Sequence, residues 1–343
     1  MKNIPRLVRA MTLAVVMFGG LSSQAFATVR LKFASPYPIG HPSYLLAKRF
    51  IDEIHRQAGD SVKIDFFAGQ RLGAAKDMLS VCGGDKADFC QIHITYFSRQ
   101  LPYSNIIVLP YWTTSSEGSA VYQALLESSP ELLQEFRSLG VRPILGTTTP
   151  AYDVATVNKP VQTLDDLKGL ELKTAGGLFD VIARHYGIVP VTIAPSETYQ
   201  AVQRGLVEGV VFNYPSIRSY HLNDQIRFIT HGMRAGAYPG TIIANEASWQ
   251  RLPVEVQRLI TQVSRQTMQW QAQRWDRMHQ EALTQFKEQG IQVYELSPVQ
   301  RMAWNKALEG LGEDYVAEME KRGFSKMRKV HDDYRRIAEQ IAK

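Results

Sequence analysis

The sequence predicts an α/β protein built from two lobes, and three observations support this fold class. The chain has 343 residues, more than one small domain needs, and 45% of them are hydrophobic, enough for a sizeable core. Short strand patterns alternate with amphipathic helix patterns, first near the N-terminus and again in the middle, which is typical of mostly parallel sheets covered by helices. Near the C-terminus, more than thirty consecutive residues keep a helical pattern, and a helix of that length is expected to span both lobes.

Residues 1–27 have the pattern of a signal peptide. Lys2, Arg6 and Arg9 precede the apolar run AMTLAVVMFGGL, which is too short for a mature transmembrane helix, and the small-residue site AFA follows. We therefore predict cleavage after Ala27 and export to the periplasm as a free, soluble protein. Cleavage removes three positive charges from a formal net charge of +6 and leaves +3, which is too little to indicate a nucleic-acid partner.

The first lobe is expected in residues 28–150, completed by a returning segment at about 236–252. VRLKFAS alternates apolar and polar residues like a strand and stops at the loop PYPIGHP. A helix pattern over residues 43–58 follows, and then the strand pattern VKIDFF. A further helix and the strand pattern KADFCQIHITYF complete a β-α-β-α-β order, which predicts a parallel sheet.

Residues 151–235 repeat this order and are expected to form the second lobe. Strand patterns occur at DVATVN, LELKT, VTIA and VEGVVFN, with helix patterns between several of them. Ligands of open α/β sheets bind beside the ends of the strands. The loops that follow these strands are therefore the expected ligand site.

Residues 253–343 are predicted to be helical, apart from a short strand at IQVYEL, and to pack on both lobes. The long helical pattern starts after Pro253 and carries two tryptophans, Trp270 and Trp275. We expect both tryptophans to be packing residues rather than ligand contacts.

The sequence contains no motif that indicates catalysis or cofactor binding. G-x-S-x-G, H-E-x-x-H, P-loop and G-x-G-x-x-G patterns are absent, and the eight histidines have no metal-ligand spacing. We therefore predict that the protein is not an enzyme and has no metal or cofactor. Cys82 and Cys90 are open to two interpretations, a disulfide formed after export or two buried thiols.

Aromatic and amide side chains gather at the predicted loops, as in small-molecule clefts with apolar walls and a few polar groups. They are Tyr37, His41, Gln70, His93, Tyr152, Asn213, Tyr214 and Tyr238. Lys173 lies at a strand end, before a Gly-Gly loop and a helix pattern. The free N–H groups and partial positive charge of a helix N-terminus favour an anion, and the lysine adds to this preference.

Several segments, taken together and in order, resemble one protein family. FFAGQRLGAAKDML, VLPYW, and DDLKG followed by ETYQAVQRGLVEG are similar to the DctP-type solute-binding proteins of tripartite ATP-independent periplasmic (TRAP) transporters. The resemblance covers nearly the whole mature chain. It implies a two-lobed periplasmic binding protein fold, a ligand cleft between the lobes, a long lobe-spanning helix and delivery of the solute to integral-membrane subunits of the transporter. We expect the protein itself to be a monomer.

The resemblance also implies where the solute binds, and this sequence departs from the family there. The strand after LKG usually carries an arginine that grips a carboxylate, and Lys173 occupies that position. An asparagine often follows the turn equivalent to VEG; here Phe212 stands in its place, with Asn213 and Tyr214 next. A lysine is a point charge without the two-point grip of a guanidinium. We therefore expect a small organic anion, a carboxylate or sulfonate, other than the usual dicarboxylate or sugar acid.

The rest of this anion is expected to pack on aromatic residues. The candidates are Phe212, Tyr214, Tyr37, Tyr152 and Tyr238, with His93, Asn213 and Gln70 as further ligand contacts. One alternative is a neutral or cationic solute caged by the tyrosines, in which case Lys173 would point away. The others are an exported enzyme and a periplasmic protein-interaction scaffold.

Overall fold

A computed structural model of the chain describes residues 28–109, 111–194 and 197–342. The predicted signal peptide and its cleavage after Ala27 lie outside the described residues. The described part contains two β-sheets with helices packed around them, which confirms the predicted α/β fold.

The described residues contain eleven β-strands and eleven α-helices. In chain order the strands are β1 (Val29–Ala34), β2 (Val62–Phe67), β3 (Phe89–His93), β4 (Val141–Thr148), β5 (Asp153–Thr156), β6 (Glu171–Thr174), β7 (Val189–Thr192), β8 (Gly209–Phe212), β9 (Phe228–His231), β10 (Pro239–Asn245) and β11 (Gln292–Glu295). The α-helices are α1 (Pro42–Ala58), α2 (Met78–Gly83), α3 (Ser115–Ser128), α4 (Pro130–Ser138), α5 (Leu178–His185), α6 (Thr198–Gln203), α7 (Tyr214–Ser219), α8 (Glu246–Arg251), α9 (Val254–Glu288), α10 (Pro298–Lys321) and α11 (Met327–Ile341).

The first sheet has the strand order β2-β1-β3-β10-β4. β1 pairs in parallel with β2 and β3, whereas β10 runs antiparallel to both β3 and β4. The parallel part arises because α1 and α2 each carry the chain back across the sheet before the next strand begins. The loops after β1 and β3 consequently open at the same edge of the sheet.

Helix α1 shows how local sequence fixes this arrangement. It begins after His41, whose Nδ1 accepts a hydrogen bond from the Ser43 N–H at 3.0 Å and so caps the first turn. Leu46, Phe50 and Ile54 recur every four residues, lie on one face and are buried. Burial of this apolar stripe holds α1 against the rest of the first lobe.

The second sheet has the strand order β11-β9-β5-β8-β6-β7. β6 runs parallel to β7 and β8, and β5 runs antiparallel to β8 and β9. Lys173 of β6 pairs with Val210 of β8, so the ends of these two strands lie side by side. The loop after β6 and the turn after β8 therefore meet at one edge, where the sequence predicted the ligand site.

Besides the connection from β10 through α8 and α9 to β11, two short segments connect the sheets, residues 149–152 between β4 and β5 and residues 232–238 between β9 and β10. They bond to each other, because the Tyr152 N–H donates to the Gly236 carbonyl and the Ala235 N–H donates to the Tyr152 carbonyl, both at 2.7 Å. We propose that the lobes divide within this pair of segments, and the boundaries of the two lobes stay a prediction.

The long helix α9 has 35 residues and contacts elements of both lobes. It packs on α1 and α3 beside the first sheet and on α7 beside the second, which confirms the predicted lobe-spanning helix. The later helices also contact both parts of the molecule. Trp304 of α10 packs on Tyr186, which follows α5, and the Tyr334 hydroxyl of α11 accepts a hydrogen bond from the indole N–H of Trp112, which precedes α3. In the described part of the chain, no helix combines the length and the apolar character that a membrane crossing requires.

The structure bears on the two cysteines, for which the sequence left a disulfide and two thiols open. Cys82 and Cys90 are both free and both buried. Burial, followed by the neighbouring Cys90 thiol, raises the pKa of Cys82, so its protonated thiol is favoured over the thiolate.

Candidate functional site

The principal cavity of the described structure lies between the two lobes and has a volume of about 600 Å³. The first lobe contributes the loop after β1 and the end of β3, and the second lobe contributes the ends of β6, β7 and β8. Among its lining residues are Tyr37, His41, His93, Tyr96, Thr149, Tyr152, Lys173, Thr192, Phe212, Asn213, Ser216, Tyr220, Tyr238 and Trp275. The wall is mainly aromatic with a few polar groups, as in clefts that enclose a small molecule.

Lys173 supplies the positive charge of this cavity. Its side chain is 1% exposed, and its Nζ lies 3.9 Å from the centre of the Phe212 ring, a cation–π contact. Lys173 makes no hydrogen bond or ion pair with any other described residue. Burial lowers its pKa to about 8, against the opposing influence of the Asp180 carboxylate. The ammonium group is therefore held in an apolar place without a counter-ion.

The turn from β6 into α5 places Lys173 at the cavity. Gly176 and Gly177 have φ angles of +79° and +59°, a conformation that side chains with a Cβ adopt with strain. Asp180 in the first turn of α5 accepts hydrogen bonds from the hydroxyls of Thr174 and Thr192, the latter at 3.0 Å. These bonds tie α5 to the ends of β6 and β7 and occupy the one carboxylate near Lys173.

Asn213 follows β8 and offers a second polar group. Its Oδ1 accepts a hydrogen bond from the Ser216 N–H at 2.9 Å and caps α7. Its Nδ2 is buried beside the Tyr152 hydroxyl without a well-formed hydrogen bond to any described residue. Because Asn213 is 0% exposed and lines the cavity, this amide nitrogen is an available donor at the cavity wall.

The first lobe contributes an aromatic wall that is uncharged at neutral pH. The Tyr37 ring stacks on His41 with centroids 4.4 Å apart, and His93 lies 4.3 Å from Tyr238. His93 Nδ1 lies 3.0 Å from the Pro239 carbonyl oxygen, to which it donates. Burial lowers the pKa of His41 to about 4, and burial together with His41 lowers the pKa of His93 to about 3. Lys173 is therefore the only charged side chain lining the cavity among the described residues.

The structure brings together most of the residues that the sequence singled out. Tyr37, His93, Tyr152, Lys173, Phe212, Asn213 and Tyr238 all line the cavity. Gln70 does not: it is exposed in a turn at φ +66°, and its backbone N–H bonds the Ser35 carbonyl. Its position corrects the expectation that it faces the cleft.

Tyr214 also departs from the expectation, because it points away from the cavity. It is the first residue of α7, where the chain leaves the two-residue period of a strand for the 3.6-residue period of a helix. Its hydroxyl donates to Asp153 Oδ2 at 2.6 Å and lies 2.8 Å from His231 Nδ1, and its ring stacks on His279. Tyr214 thus belongs to a buried cluster behind the cavity wall.

Several cavity residues were not identified from the sequence. Trp275 was expected to be a packing residue, but it lines the cavity because α9 passes along the cleft between the lobes. Ser216 of α7 and Tyr220, the residue that follows α7, lie four residues apart, a helical spacing that could have indicated a shared face. Tyr96 comes from the loop after β3, which the sequence marked as a strand end without singling out this residue.

Among the described residues, no group of three or more histidine, cysteine, aspartate or glutamate side chains could hold a metal ion. The cavity offers neutral rings, an amide donor and one ammonium group, a set that can bind an anion and surround its apolar part.

Comparison with protein families gives one match that covers most of the chain. The model for the bacterial extracellular solute-binding protein family 7, DctP, matches residues 33–320. A curated relative, the C4-dicarboxylate-binding protein DctB of Bacillus subtilis, is 24% identical over 292 residues, which is 83% of this chain and 81% of DctB.

Solved structures of TRAP solute-binding proteins share the fold. A protein from Desulfovibrio salexigens superposes with a TM-score of 0.80 at 23% identity, covering 91% of this chain and 96% of its own. A protein from Bordetella bronchiseptica, solved with bound (R)- and (S)-mandelate, has a TM-score of 0.76 at 19% identity, covering 91% and 99%. A protein from Rhodoferax ferrireducens, solved with copurified benzoate, has a TM-score of 0.79 at 18% identity, covering 92% and 99%.

Proposed function

The chain belongs to the DctP family of bacterial extracellular solute-binding proteins, and from this premise we propose that it captures a small organic anion and delivers it to the membrane subunits of a TRAP transporter. In this proposal the protein is exported to the periplasm after cleavage at Ala27 and acts there as a monomer. It binds its solute without changing it chemically, and it needs no cofactor.

The unpaired ammonium group of Lys173 is the observation that carries the proposal. A buried charge without a counter-ion is unfavourable, and an anionic group of the solute would supply the missing partner. The Asn213 Nδ2 can donate a second hydrogen bond to the same anionic group. A cationic solute would be repelled by Lys173, so the caged-cation alternative is disfavoured.

The remainder of the cavity favours an apolar, ring-containing solute with one negative charge. Phe212, Tyr152, Tyr238 and Trp275 contribute aromatic rings to the lining, and both cavity histidines are neutral. A second carboxylate would have no charged partner among the described lining residues. Two structural relatives hold aryl carboxylates, mandelate and benzoate, and we propose a solute of the same chemical kind here.

Two experiments test this function in order. Mass spectrometry of the purified protein under native conditions identifies any solute that is retained. A thermal-shift screen then compares benzoate, mandelate, succinate and glucuronate, where a ligand present at a hundredfold excess over its Kd stabilises the fold by about 2.7 kcal/mol. We expect an aryl carboxylate to raise the Tm most.

The substitution Lys173→Met tests the role of the charge. We expect the affinity for the best anion of the screen to fall by about 2–5 kcal/mol in isothermal titration calorimetry, because the bound anion is left without a partner. Lys168→Met is the matched control, since this lysine is 71% exposed and lies at the surface before β6. Unchanged affinity in Lys173→Met would show that the ammonium group does not contact the anion.

A further inference from the structure

A second groove lies beside the ligand cavity, between α7 and α9, with a volume of about 490 Å³. Arg218 of α7 and Arg274 and Arg277 of α9 line it, together with Trp270, Met278 and Glu281. It adjoins the cavity, because Ser219 and Trp275, the chain neighbours of Arg218 and Arg274, line the ligand site instead. We call this surface the arginine groove.

The arginine groove carries an excess of unpaired positive charge. Its three guanidinium groups face a single carboxylate, Glu281, and none of the three makes a hydrogen bond or ion pair with another described residue. One terminal nitrogen of Arg274 is shielded from solvent and has no hydrogen-bond partner. Burial and the neighbouring Arg277 lower the pKa of Arg274, which shows that these like charges disfavour each other. An anion in the groove would relieve this repulsion.

Trp270 is the aromatic residue that lines the arginine groove. The guanidinium of Arg274 lies 5.9 Å from its ring centre, and that of Arg49, on α1, lies 5.8 Å away. Stacking of this kind restricts the side chains and leaves their N–H groups for another partner. Arg49 itself does not line the groove; Arg218 belongs to α7, and the other lining residues belong to the long helix α9.

We propose that the arginine groove is the docking site for an acidic segment of the membrane partner, a proposal that rests on the transport function proposed above. The groove is open, with Arg277 and Glu281 exposed, so a small anion there would keep most of its hydration and be displaced by salt. A segment with several carboxylates can contact the three guanidinium groups at once.

A labelled hexaglutamate peptide serves as the probe, with fluorescence anisotropy measured at low ionic strength on the mature chain. We expect the triple variant Arg218→Gln, Arg274→Gln, Arg277→Gln to bind the peptide at least tenfold more weakly than the wild type. The matched control replaces Arg30, Arg204 and Arg258, all exposed, with glutamine and removes the same charge. The control variant should keep the wild-type affinity.

Three outcomes would overturn the docking proposal. They are equal peptide binding by both triple variants, binding of hexalysine as strong as that of hexaglutamate, and displacement of the peptide by an equimolar amount of sulfate, which would indicate a site for small anions. The thermal shift with the cleft anion is measured on the same samples. If the wild type and the groove variant both show this thermal shift but the wild type does not bind the peptide, the docking proposal fails and the solute-binding function stands. If the wild type shows no thermal shift, the proposed function itself fails.

Discussion

Two buried polar clusters lie on either side of the same short segment, Phe212 to Tyr214, and they differ in how completely their hydrogen bonds are formed. The Asp153 cluster consists of Asp153, Tyr214 and His231. Its carboxylate accepts hydrogen bonds from the Tyr214 hydroxyl at 2.6 Å and from the backbone N–H groups of Gly232 and Arg234, in the connecting segment 232–238. In the Lys173 cluster, made of Lys173, Phe212 and Asn213, neither the ammonium group nor the amide nitrogen has a well-formed hydrogen bond to a described residue.

We therefore expect the Asp153 cluster to contribute to stability and the Lys173 cluster to ligand binding. A complete buried network stabilises the fold, and here it holds the connecting segment 232–238 against Asp153 at the start of β5. An incomplete one makes the empty protein less stable, and a ligand that completes it gains the corresponding free energy. Burial and polarity are common to both clusters, so the missing partners, rather than the presence of polar groups, distinguish the proposed binding site.

The largest effect is expected for Asp153→Asn. Burial by itself raises the pKa of Asp153, but the bonds from His231, Tyr214 and Gly232 outweigh it and hold the pKa below its ordinary value. Loss of the charge leaves His231 without its partner and turns an amide N–H toward backbone donors. We expect the free energy of unfolding in urea to fall by about 3 kcal/mol. A loss below about 1 kcal/mol would show that the cluster is not a stabilising unit.

Lys173→Met is expected to act in the opposite direction on the empty protein. Removal of the unpaired charge should raise the free energy of unfolding by about 2 kcal/mol at pH 7, although the same variant loses ligand affinity. The pH dependence checks the cause. The pKa of Lys173 falls from 10.5 when unfolded to about 8 when folded, so the unfolded chain binds more protons between these values and the wild type gains stability as pH rises through that window. The stability difference between the variant and the wild type should shrink over the same range, and a constant difference would contradict the assignment.

Tyr214→Phe is expected to have the smallest effect on stability. It tests whether Tyr214, unlike its neighbour Asn213, lies outside the ligand site. The variant keeps the ring that stacks on His279 and loses only the hydroxyl that bonds Asp153, so we expect a loss of about 1 kcal/mol in stability. Affinity for the cleft anion should stay within twofold of the wild type by calorimetry. A large loss of affinity without loss of stability would indicate that Tyr214 contacts the ligand.

The comparison also shows what sequence reasoning could reach. Lys173, Phe212 and Asn213, which sequence reasoning proposed for the cleft, line the cavity because the parallel strands β6 and β8 end at a common edge. Tyr214, one residue further, lies outside the cavity, because the change of period at the start of α7 alters the side-chain direction. The N-cap residue Asn213 and Pro215 in the first turn are local signals of this helix start that sequence reasoning did not use.

The contribution of α9 to the cavity could not be read from the sequence for a different reason. Trp275 has the same spacing as neighbouring packing residues, and only the course of the helix between the lobes decides which of them meets the cleft. The α/β order and the long helix, by contrast, depend on local periodicity and were predicted correctly.

The central claim, that Lys173 is the partner of the solute's anionic group, is tested most directly by proton uptake on binding. Calorimetry of the best anion at pH 8.5, in two buffers of different ionisation enthalpy, gives the number of protons bound with each ligand. Lys173 with a pKa of about 8 is largely neutral at this pH and must be protonated beside a carboxylate, so the account predicts uptake of more than about half a proton per anion, and almost none in Lys173→Arg, which is charged throughout. Tight binding by the wild type with no proton uptake, or with the same uptake in Lys173→Arg, would contradict it.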